Sequence, residues 1–168
     1  PSAAYKTRES RERLFNFIRR MGTDRDILNI GSGTTEYGEN VVNLDIGLFQ
    51  GVDIVGDALH LPILSESLDA VMAQGVLEHV RKPDLAVAEM YRVLKKGGYC
   101  YSEIPFMQPY HAVPADYQRY TIMGIEELFD RFDPVEKGVI LGPASAMSWI
   151  AREFLAILFS FNNPYLYR

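Results

Sequence analysis

Apolar residues near the start of the chain recur at helical spacing. They fall at positions i, i+3, i+4 and i+7, and charged residues fill most of the neighbouring positions; the four are Leu14, Phe17, Ile18 and Met21. This spacing gathers the apolar side chains into one stripe. The pattern predicts an amphipathic helix over residues 7–21 that ends at Gly22.

Short apolar or β-branched runs bounded by turn residues predict strands in five places. They cover residues 26–30, 41–45, 52–55, 68–73 and 98–104. A sixth strand is predicted over residues 135–141.

Two stretches of the second half have helical patterns. The first begins at Pro83, has Lys95 and Lys96 in its last turn and ends at a glycine pair. Its apolar face consists of Val87, Met90, Tyr91 and Leu94. The second follows Thr121, whose side chain can cap a helix N-terminus. Its apolar residues are Ile122, Ile125, Leu128, Phe129 and Phe132.

Strands that alternate with helices indicate a parallel sheet with helices on both faces and a ligand beyond the carboxyl ends of the strands. The sequence therefore predicts an α/β fold, a compact variant of the Rossmann-like and mostly parallel sheet. A length of 168 residues fits one domain with a single core. We divide residues 1–168 into an N-terminal helix at 7–21, a core at 26–141 and an apolar helical segment at 142–168.

Composition and charge narrow the class of partner. The net charge of -5 disfavours a nucleic-acid footprint, which requires clustered lysine and arginine. Cys100 is the only cysteine, so the chain has no internal disulfide and no cysteine-rich metal site, and a reducing cytoplasm fits it best. We predict no metal site and no nucleic-acid partner.

Two segments depart from regular periodicity. Residues 105–120 contain three prolines and several aromatic residues, which is typical of a lid or binding wall. Residues 142–161 are apolar or small except for Arg152 and Glu153. Because this charged pair interrupts the run, we predict a buried or interfacial helix rather than a membrane span. Such a segment is also a candidate surface for a homo-oligomer.

The candidate ligand site begins at a glycine turn. An apolar run leads into Gly31-Ser32-Gly33, and a second run ends at Asp45. A strand, a glycine turn and a second strand closing on a carboxylate form the adenosine-holding half of a Rossmann-type site. Glu36 occupies the third position of a dinucleotide fingerprint, where its carboxylate would face a pyrophosphate, and this argues against NAD.

Six elements occur in a fixed order along the chain. They are Asn29-Ile30-Gly31-Ser32-Gly33; Asp45; Gly56-Asp57-Ala58 with Leu61-Pro62; Ser67-Leu68-Asp69-Ala70-Val71; Val76-Leu77-Glu78-His79-Val80; and Arg92-Val93-Leu94-Lys95-Lys96-Gly97-Gly98. Together they resemble the class I S-adenosylmethionine-dependent methyltransferases, specifically the small-molecule type known as methyltransferase type 11. The resemblance covers residues 26–132.

The resemblance implies a site for S-adenosylmethionine. Asp45 would accept hydrogen bonds from the ribose hydroxyls, and Asp57 would bind the adenine amino group. Glycines at the turns would let the backbone approach the ligand. The cofactor-binding set implied is Asn29, Gly31, Ser32, Gly33, Asp45, Ile46, Asp57, Ala58, Leu59, Gln74 and Gly75.

Three features differ from the family pattern. Asn29 stands where an acid is usual, and Thr35 stands where a third glycine is usual. The links after the first two strands are short for parallel crossovers, which normally need about a dozen residues. We therefore expect two helices to be shortened or missing, and the exposed face to be covered by the N-terminal helix, the C-terminal segment or a partner subunit.

Catalytic and substrate-binding candidates lie in the second half of the chain. His111 in the aromatic loop and His79 after the fourth strand are candidate general bases. A structural role at a helix start is the alternative for His79. An ion pair with Asp116 is the alternative for Arg119. The candidate substrate contacts are Tyr110, Tyr117 and Arg119.

The resemblance predicts an enzyme that transfers the methyl group of S-adenosylmethionine to an O, N or C atom of a small molecule. The shortened cofactor half and the apolar tail indicate an alternative, which is a catalytically silent methyltransferase-like module for protein–protein interaction.

Overall fold

A five-stranded parallel sheet forms the centre of the protein. The computed structural model describes residues 8–112 and 114–159. The strand order is β3-β2-β1-β4-β5, and every neighbouring pair is parallel. The strands are β1 (Ile27–Ile30), β2 (Val41–Asp45), β3 (Ile54–Val55), β4 (Leu68–Gln74) and β5 (Leu94–Glu103). This order confirms the predicted α/β class.

Four α-helices accompany the sheet in the residues that the structure describes. They are α1 (Arg8–Met21), α2 (Pro83–Val93), α3 (Ile122–Leu128) and α4 (Pro143–Phe159). A short 3-10 turn, Leu77–His79, lies between β4 and α2. The predicted N-terminal helix is confirmed from residue 8, and Gly22 ends it with a φ of 83°. Residues 7 and 160–168 of the predicted terminal segments lie outside the described residues.

The strands send alternate side chains to the two faces of the sheet. On one face, Ile27 and Met72 pack against Leu14 of α1. On the other face, Leu28 and Val71 belong to the same buried cluster as Met90 of α2. Helices therefore cover both faces, as the sequence predicts.

Helix α1 supplies the cover that the short crossovers lack. Residues 31–40, between β1 and β2, and residues 46–53, between β2 and β3, contain no helix. Of the three covers considered from the sequence, the N-terminal helix is the one that packs there, because Leu14 and Ile18 share a buried cluster with Val41 of β2.

The end of α2 differs from the prediction. The helix ends at Val93, and β5 begins at the next residue, so Lys95 and Lys96 belong to the strand. Leu94 already pairs with Leu68, and a register shift before Ala70 accommodates the extra residues. Lys95 also bonds to Asp69 of β4 at 2.9 Å, a tertiary contact that helical periodicity does not reveal.

The predicted strand at 135–141 is wrong, because no strand forms in these residues. Val135 and Val139 are 82% and 63% exposed, so the alternating apolar side chains have no surface to bury against. The helix predicted from the apolar spacing through Phe132 is also too long. Helix α3 ends at Leu128, although Phe129 and Phe132 still pack against the core beyond it.

Helix α4 is not a buried helix. None of its described side chains is buried, and Met147, Phe154 and Phe159 are among its largely exposed apolar residues. Among the described residues, no helix combines the length and the apolar character needed to cross a membrane.

Candidate active site

The glycine turn lies where β1 and β2 end. Gly31 and Gly33 have φ values of 67° and 56°, a region that favours glycine. A Cβ on Gly31 would lie 2.4 Å from Cγ2 of Val76, so this glycine is required by the packing of the chain itself. A Cβ on Gly33 would meet nothing within 4 Å. Of the two glycines predicted to face a ligand, Gly33 is the one with open space beside it.

The carboxylate of Asp45 is fixed at the end of β2. Its Oδ2 accepts a hydrogen bond from the Gly33 amide at 2.8 Å, and its Oδ1 accepts one from the Gly47 amide at 2.9 Å. The residue is 8% exposed. Each carboxylate oxygen can accept a second bond, so the pair of oxygens remains able to bind two hydroxyl donors.

Ser32 supplies a second polar group at the turn. Its backbone amide bonds to the Leu44 carbonyl at 3.2 Å, which ties the turn to β2. Its hydroxyl is buried and has no hydrogen-bond partner among the described residues. A buried hydroxyl without a partner costs about 1–3 kcal/mol. This hydroxyl, the open space at Gly33 and the two oxygens of Asp45 fit a polar nucleoside-type cofactor such as S-adenosylmethionine.

The next residues of the predicted cofactor set follow β2 and β3. Ile46 is 64% exposed directly after Asp45. Asp57 is exposed, and its Oδ1 accepts a hydrogen bond from the Leu59 amide at 2.9 Å. Ala58 and Leu59 pack partly against the core. These residues therefore line the same edge of the sheet as Asp45.

Asn29 has a partner inside the sheet. Its side chain is buried and donates a hydrogen bond to Oδ1 of Asn43 at 2.9 Å. This buried amide pair joins β1 to β2. The structure thus gives Asn29 a structural role, which does not depend on a ligand.

Gln74 belongs to a polar network that the sequence did not reveal. Its Nε2 donates to Oε2 of Glu103 at 2.8 Å and to Oγ of Ser10 at 3.0 Å. Ser10 and Tyr101 also donate to the Glu103 carboxylate. Burial and the nearby Glu103 carboxylate raise the pKa of Tyr37, whose hydroxyl lies 3.5 Å from Oε1 of Gln74, to about 12. The network spans 93 residues of sequence, so no local pattern could have indicated it.

A cluster of one carboxylate and two imidazoles follows β4. Glu78 is 2% exposed, and its Oε1 lies 3.8 Å from Nε2 of His79 and 3.9 Å from Nε2 of His111. Its Oε2 is buried without a hydrogen-bond partner among the described residues. Burial raises the pKa of Glu78 to about 7. A Cβ on Gly75 would lie 3.5 Å from Oε1 of Glu78, so the cluster adjoins the glycine that follows β4.

The two imidazoles have defined orientations. Nδ1 of His79 bonds to the Ala115 carbonyl, and Nδ1 of His111 lies 2.9 Å from the Pro109 carbonyl. A carbonyl oxygen only accepts, so each Nδ1 carries a proton, and in the neutral ring the lone pair is on Nε2. The rings meet edge to face with their centroids 5.1 Å apart.

The aromatic loop is attached to the cluster by several hydrogen bonds. Arg119 forms a two-pronged ion pair with Asp116 and holds the pKa of that carboxyl well below its usual range. Asp116 accepts a further bond from the His111 amide at 2.7 Å. Gln118, which the sequence did not single out, donates to the Leu77 and Val80 carbonyls at 2.8 and 2.7 Å.

The predicted substrate contacts have different surroundings. Arg119 forms an ion pair with Asp116, which was the structural alternative to a substrate contact for this residue. Tyr110 and Tyr117 are 79% and 53% exposed. Beside this loop lies a mainly apolar groove of about 400 Å³. It is lined by Met107, Gln108, Pro109, Ile150, Glu153, Phe154 and Ile157.

A family comparison agrees with this geometry. Residues 28–102 match the model of a family described as "Methyltransferase domain". The matched segment contains the glycine turn and strands from β1 to most of β5, so this part of the chain is similar to methyltransferase domains.

Curated relatives match shorter segments. The demethylmenaquinone methyltransferase of Thermobifida fusca is 48% identical over 50 residues, which are 29% of this chain and 21% of the relative. The demethylmenaquinone methyltransferase of Streptomyces avermitilis is 37% identical over 65 residues, which are 37% of this chain and 28% of the relative. The match thus spans less than a third of either relative.

Solved structures share the fold at low sequence identity. A protein of Pyrococcus horikoshii has a TM-score of 0.58 at 19% identity, over 83% of this chain and 89% of its own. A S-adenosylmethionine-dependent methyltransferase of Thermotoga maritima has a TM-score of 0.57 at 19% identity, over 70% and 67%. The cyclase SpnF has a TM-score of 0.53 at 20% identity, over 73% and 57%. At these identities the likeness shows the fold.

Proposed function

We propose that the protein transfers the methyl group of S-adenosylmethionine to an O, N or C atom of a small molecule. The observation that carries the proposal is the glycine turn with the fixed Asp45 carboxylate on the edge of a methyltransferase-type sheet. The net charge of -5 supports a small-molecule acceptor over a nucleic acid, because binding to phosphates requires clustered positive charge.

In this proposal, the chain holds and orients the two reactants. Asp45 accepts hydrogen bonds from the ribose hydroxyls, and the exposed Asp57 binds the adenine amino group. The backbone at Gly33 and Gly75 contacts the amino-acid portion, and the Ser32 hydroxyl gains the partner that it lacks. The cofactor supplies an activated methyl group, so orientation is the main contribution of the protein and can be worth about 7–11 kcal/mol.

A proton acceptor is needed where the acceptor atom must lose a proton. His79 and His111 both have free Nε2 lone pairs, because their Nδ1 atoms donate to carbonyls. A positioned base contributes about 10²–10⁴ in rate. We propose either imidazole in this role.

The groove beside the aromatic loop supports an acceptor with an apolar part. Pro109 lines the groove, and its carbonyl bonds to His111, so the groove adjoins the imidazole cluster. The relatives from Thermobifida fusca and Streptomyces avermitilis are named for an apolar quinone precursor. We propose a methyl acceptor of comparable apolar character. We also propose that the protein works in a reducing cytoplasm, which fits its single cysteine.

Calorimetric titration with S-adenosylmethionine tests the proposal. We expect saturable binding that is weakened about 10-fold or more in Asp45→Asn, because a hydrogen bond to a charged group contributes about 1.5–3 kcal/mol. Asp24→Asn, which changes an exposed acid outside the site, is the matched control. Equal affinity of Asp45→Asn and the unmodified chain, or no binding by a folded chain, would contradict the proposal.

The exposed apolar side chains of α4 favour one second candidate, a catalytically silent module that binds a protein partner. SpnF, a structural neighbour named as a cyclase, also illustrates that the fold alone does not require methyl transfer. Saturable binding of the cofactor together with its methyl transfer to any acceptor rejects the silent module.

A further inference from the structure

We propose that Glu78, His79 and His111 form a binding site for one divalent first-row transition-metal ion. The sequence analysis predicted no metal site. These three residues come from two separated segments, so they form no local metal-binding motif. The fold brings them together: two are adjacent in the 3-10 turn, and the third lies in the aromatic loop.

The three donor atoms are close enough to share an ion. One carboxylate oxygen and two imidazole nitrogens all lie within 4.8 Å of one another. Ligands that each lie about 2.0–2.1 Å from a tetrahedral zinc ion are about 3.3 Å apart. The distances of 3.8 and 3.9 Å from Glu78 to the two rings therefore require each pair to move together by about half an ångström.

The outer hydrogen bonds favour metal binding. A metal-bound histidine almost always donates its other ring N–H to a carbonyl or carboxylate, which orients the ring. His79 and His111 already donate in this way to the carbonyls of Ala115 and Pro109. The nitrogen of each ring that can bind a metal is therefore Nε2. In both histidines this is the atom that lies near Oε1 of Glu78.

Arg119 does not change the orientation of His111. Its Nη2 lies 3.2 Å from Nδ1 of His111. The two protons of Nη2 are already donated to the Pro109 carbonyl at 3.0 Å and to Asp116 at 2.7 Å. No proton of Nη2 is left for the ring, so Nδ1 of His111 remains the donor.

The buried carboxylate of Glu78 gives the site its charge. Arg119 forms its bidentate ion pair with Asp116, so the imidazoles of His79 and His111 are the basic groups that lie within 4 Å of the Glu78 carboxylate among the described residues. Its Oε2 has no partner among the described residues, and an unpaired buried charge is costly. A cation between the three side chains would compensate this charge.

The ligand set indicates the class of ion and leaves positions for other ligands. Two imidazoles and one carboxylate suit zinc, iron, cobalt or nickel rather than magnesium or calcium. Metal binding does not depend on methyl transfer. If the protein both binds a metal ion and transfers a methyl group, the ion would take over the role proposed for the imidazole base. A metal ion lowers the pKa of a coordinated hydroxyl of the methyl acceptor.

Titration of the full chain, after removal of metal with a chelator, tests the site. Zn²⁺ binding is measured by calorimetry, and Co²⁺ binding by visible absorption and by quenching of the single tryptophan. Trp149 is a suitable reporter because its ring centroid lies 5.6 Å from that of His111. We expect one ion per chain and strong quenching. His79→Ala and His111→Ala should each weaken binding at least about 100-fold, more than the loss of an outer partner.

His60→Ala is the matched control, because His60 is the third histidine of the chain and lies exposed in another loop. Unchanged binding in this variant, with loss in the other two, supports the site. Lack of saturable binding by the unmodified chain, or binding that survives in the His79→Ala/His111→Ala double variant, overturns it. Circular dichroism and thermal unfolding confirm that each variant is folded. S-adenosylmethionine binding measured on the same samples separates failure of the metal site from failure of the methyltransferase proposal.

Discussion

Asp69 illustrates how one carboxylate can connect several segments of the fold. It accepts hydrogen bonds from Lys95 of β5 at 2.9 Å, from Arg25 at 3.1 Å and from the Asp26 amide at 3.1 Å. These bonds, with the Lys95 bond the largest cause, lower its pKa from 3.8 to about 2. Asp69 is not in the cofactor-binding set that the resemblance implies, and its bond to the Asp26 backbone gives it a structural role.

The lowered pKa of Asp69 predicts an acid-sensitive contribution to stability. The folded pKa lies below the unfolded one, so the stabilisation is complete above about pH 5 and is lost as the pH falls toward 2. A shift of this size corresponds to about 2 kcal/mol. We expect Asp69→Asn to lower the free energy of unfolding at pH 7 and to flatten its decline in acid, measured by urea denaturation. An acid dependence identical to that of the Asp24→Asn control would contradict this.

The two glycines of the turn predict contrasting effects on stability and binding. Gly31→Ala should destabilise the fold by more than about 2 kcal/mol, because it combines a left-handed residue with an overlap on Val76. Gly33→Ala should cost only the left-handed strain, about 1–2 kcal/mol, but should weaken S-adenosylmethionine binding. Thermal unfolding and calorimetry distinguish the two. Similar unfolding temperatures for both variants would be inconsistent with the packing described here.

At the scale of elements, Gln118 connects the aromatic loop to the 3-10 turn. Gln118 satisfies two carbonyls around the 3-10 turn, and no other described side chain is shown bonding to them. We expect Gln118→Ala to increase amide hydrogen exchange in residues 105–120, with a cost of about 1–3 kcal/mol for the Val80 carbonyl. The Leu77 carbonyl still accepts a hydrogen bond from the Val80 amide at 3.3 Å. Exchange in β1 and β4 should change little, and uniform acceleration across the sheet would count against a local role.

Sequence periodicity predicts elements well where the neighbours of an element lie close in sequence or where one face is buried. The strands β1, β2 and β4 are buried along most of their length, and their apolar runs predict their bounds within one residue. The end of α2 and the segment 135–141 were wrong because tertiary partners decide them. Lys95 is held in β5 by Asp69, and Val135 lacks a surface to cover.

The same limit applies to the candidate site. Asp45 and the glycine turn are local motifs and could be predicted. The Glu103 network and the Glu78 cluster could not, because Ser10 is 93 residues from Glu103 and because the pairing of Glu78 with His111 depends on how the aromatic loop folds back. The Leu77-Glu78-His79 element was the one available sequence indication.

At the scale of the whole molecule, self-association through α4 stays a prediction. Phe154 and Ile157 are 62% and 54% exposed on this helix. We expect any dimer seen by sedimentation equilibrium to dissociate in Phe154→Asp/Ile157→Asp, because each change places a charge in the apolar surface. Leu48→Asp, at another exposed apolar position, is the control. Dissociation by the control alone would locate the interface elsewhere.

The hydrogen bond between Ser10 and Glu103 also affects the order in which the chain can fold during its synthesis. Helix α1 leaves the ribosome before the sheet, yet the sheet face that it covers and the carboxylate to which its serine donates are completed only when β5 has been made. Closing a loop of this length carries an entropic penalty that local contacts do not relieve. Helix α1 must therefore wait, with its apolar stripe unburied, until about half of the 168 residues have followed it.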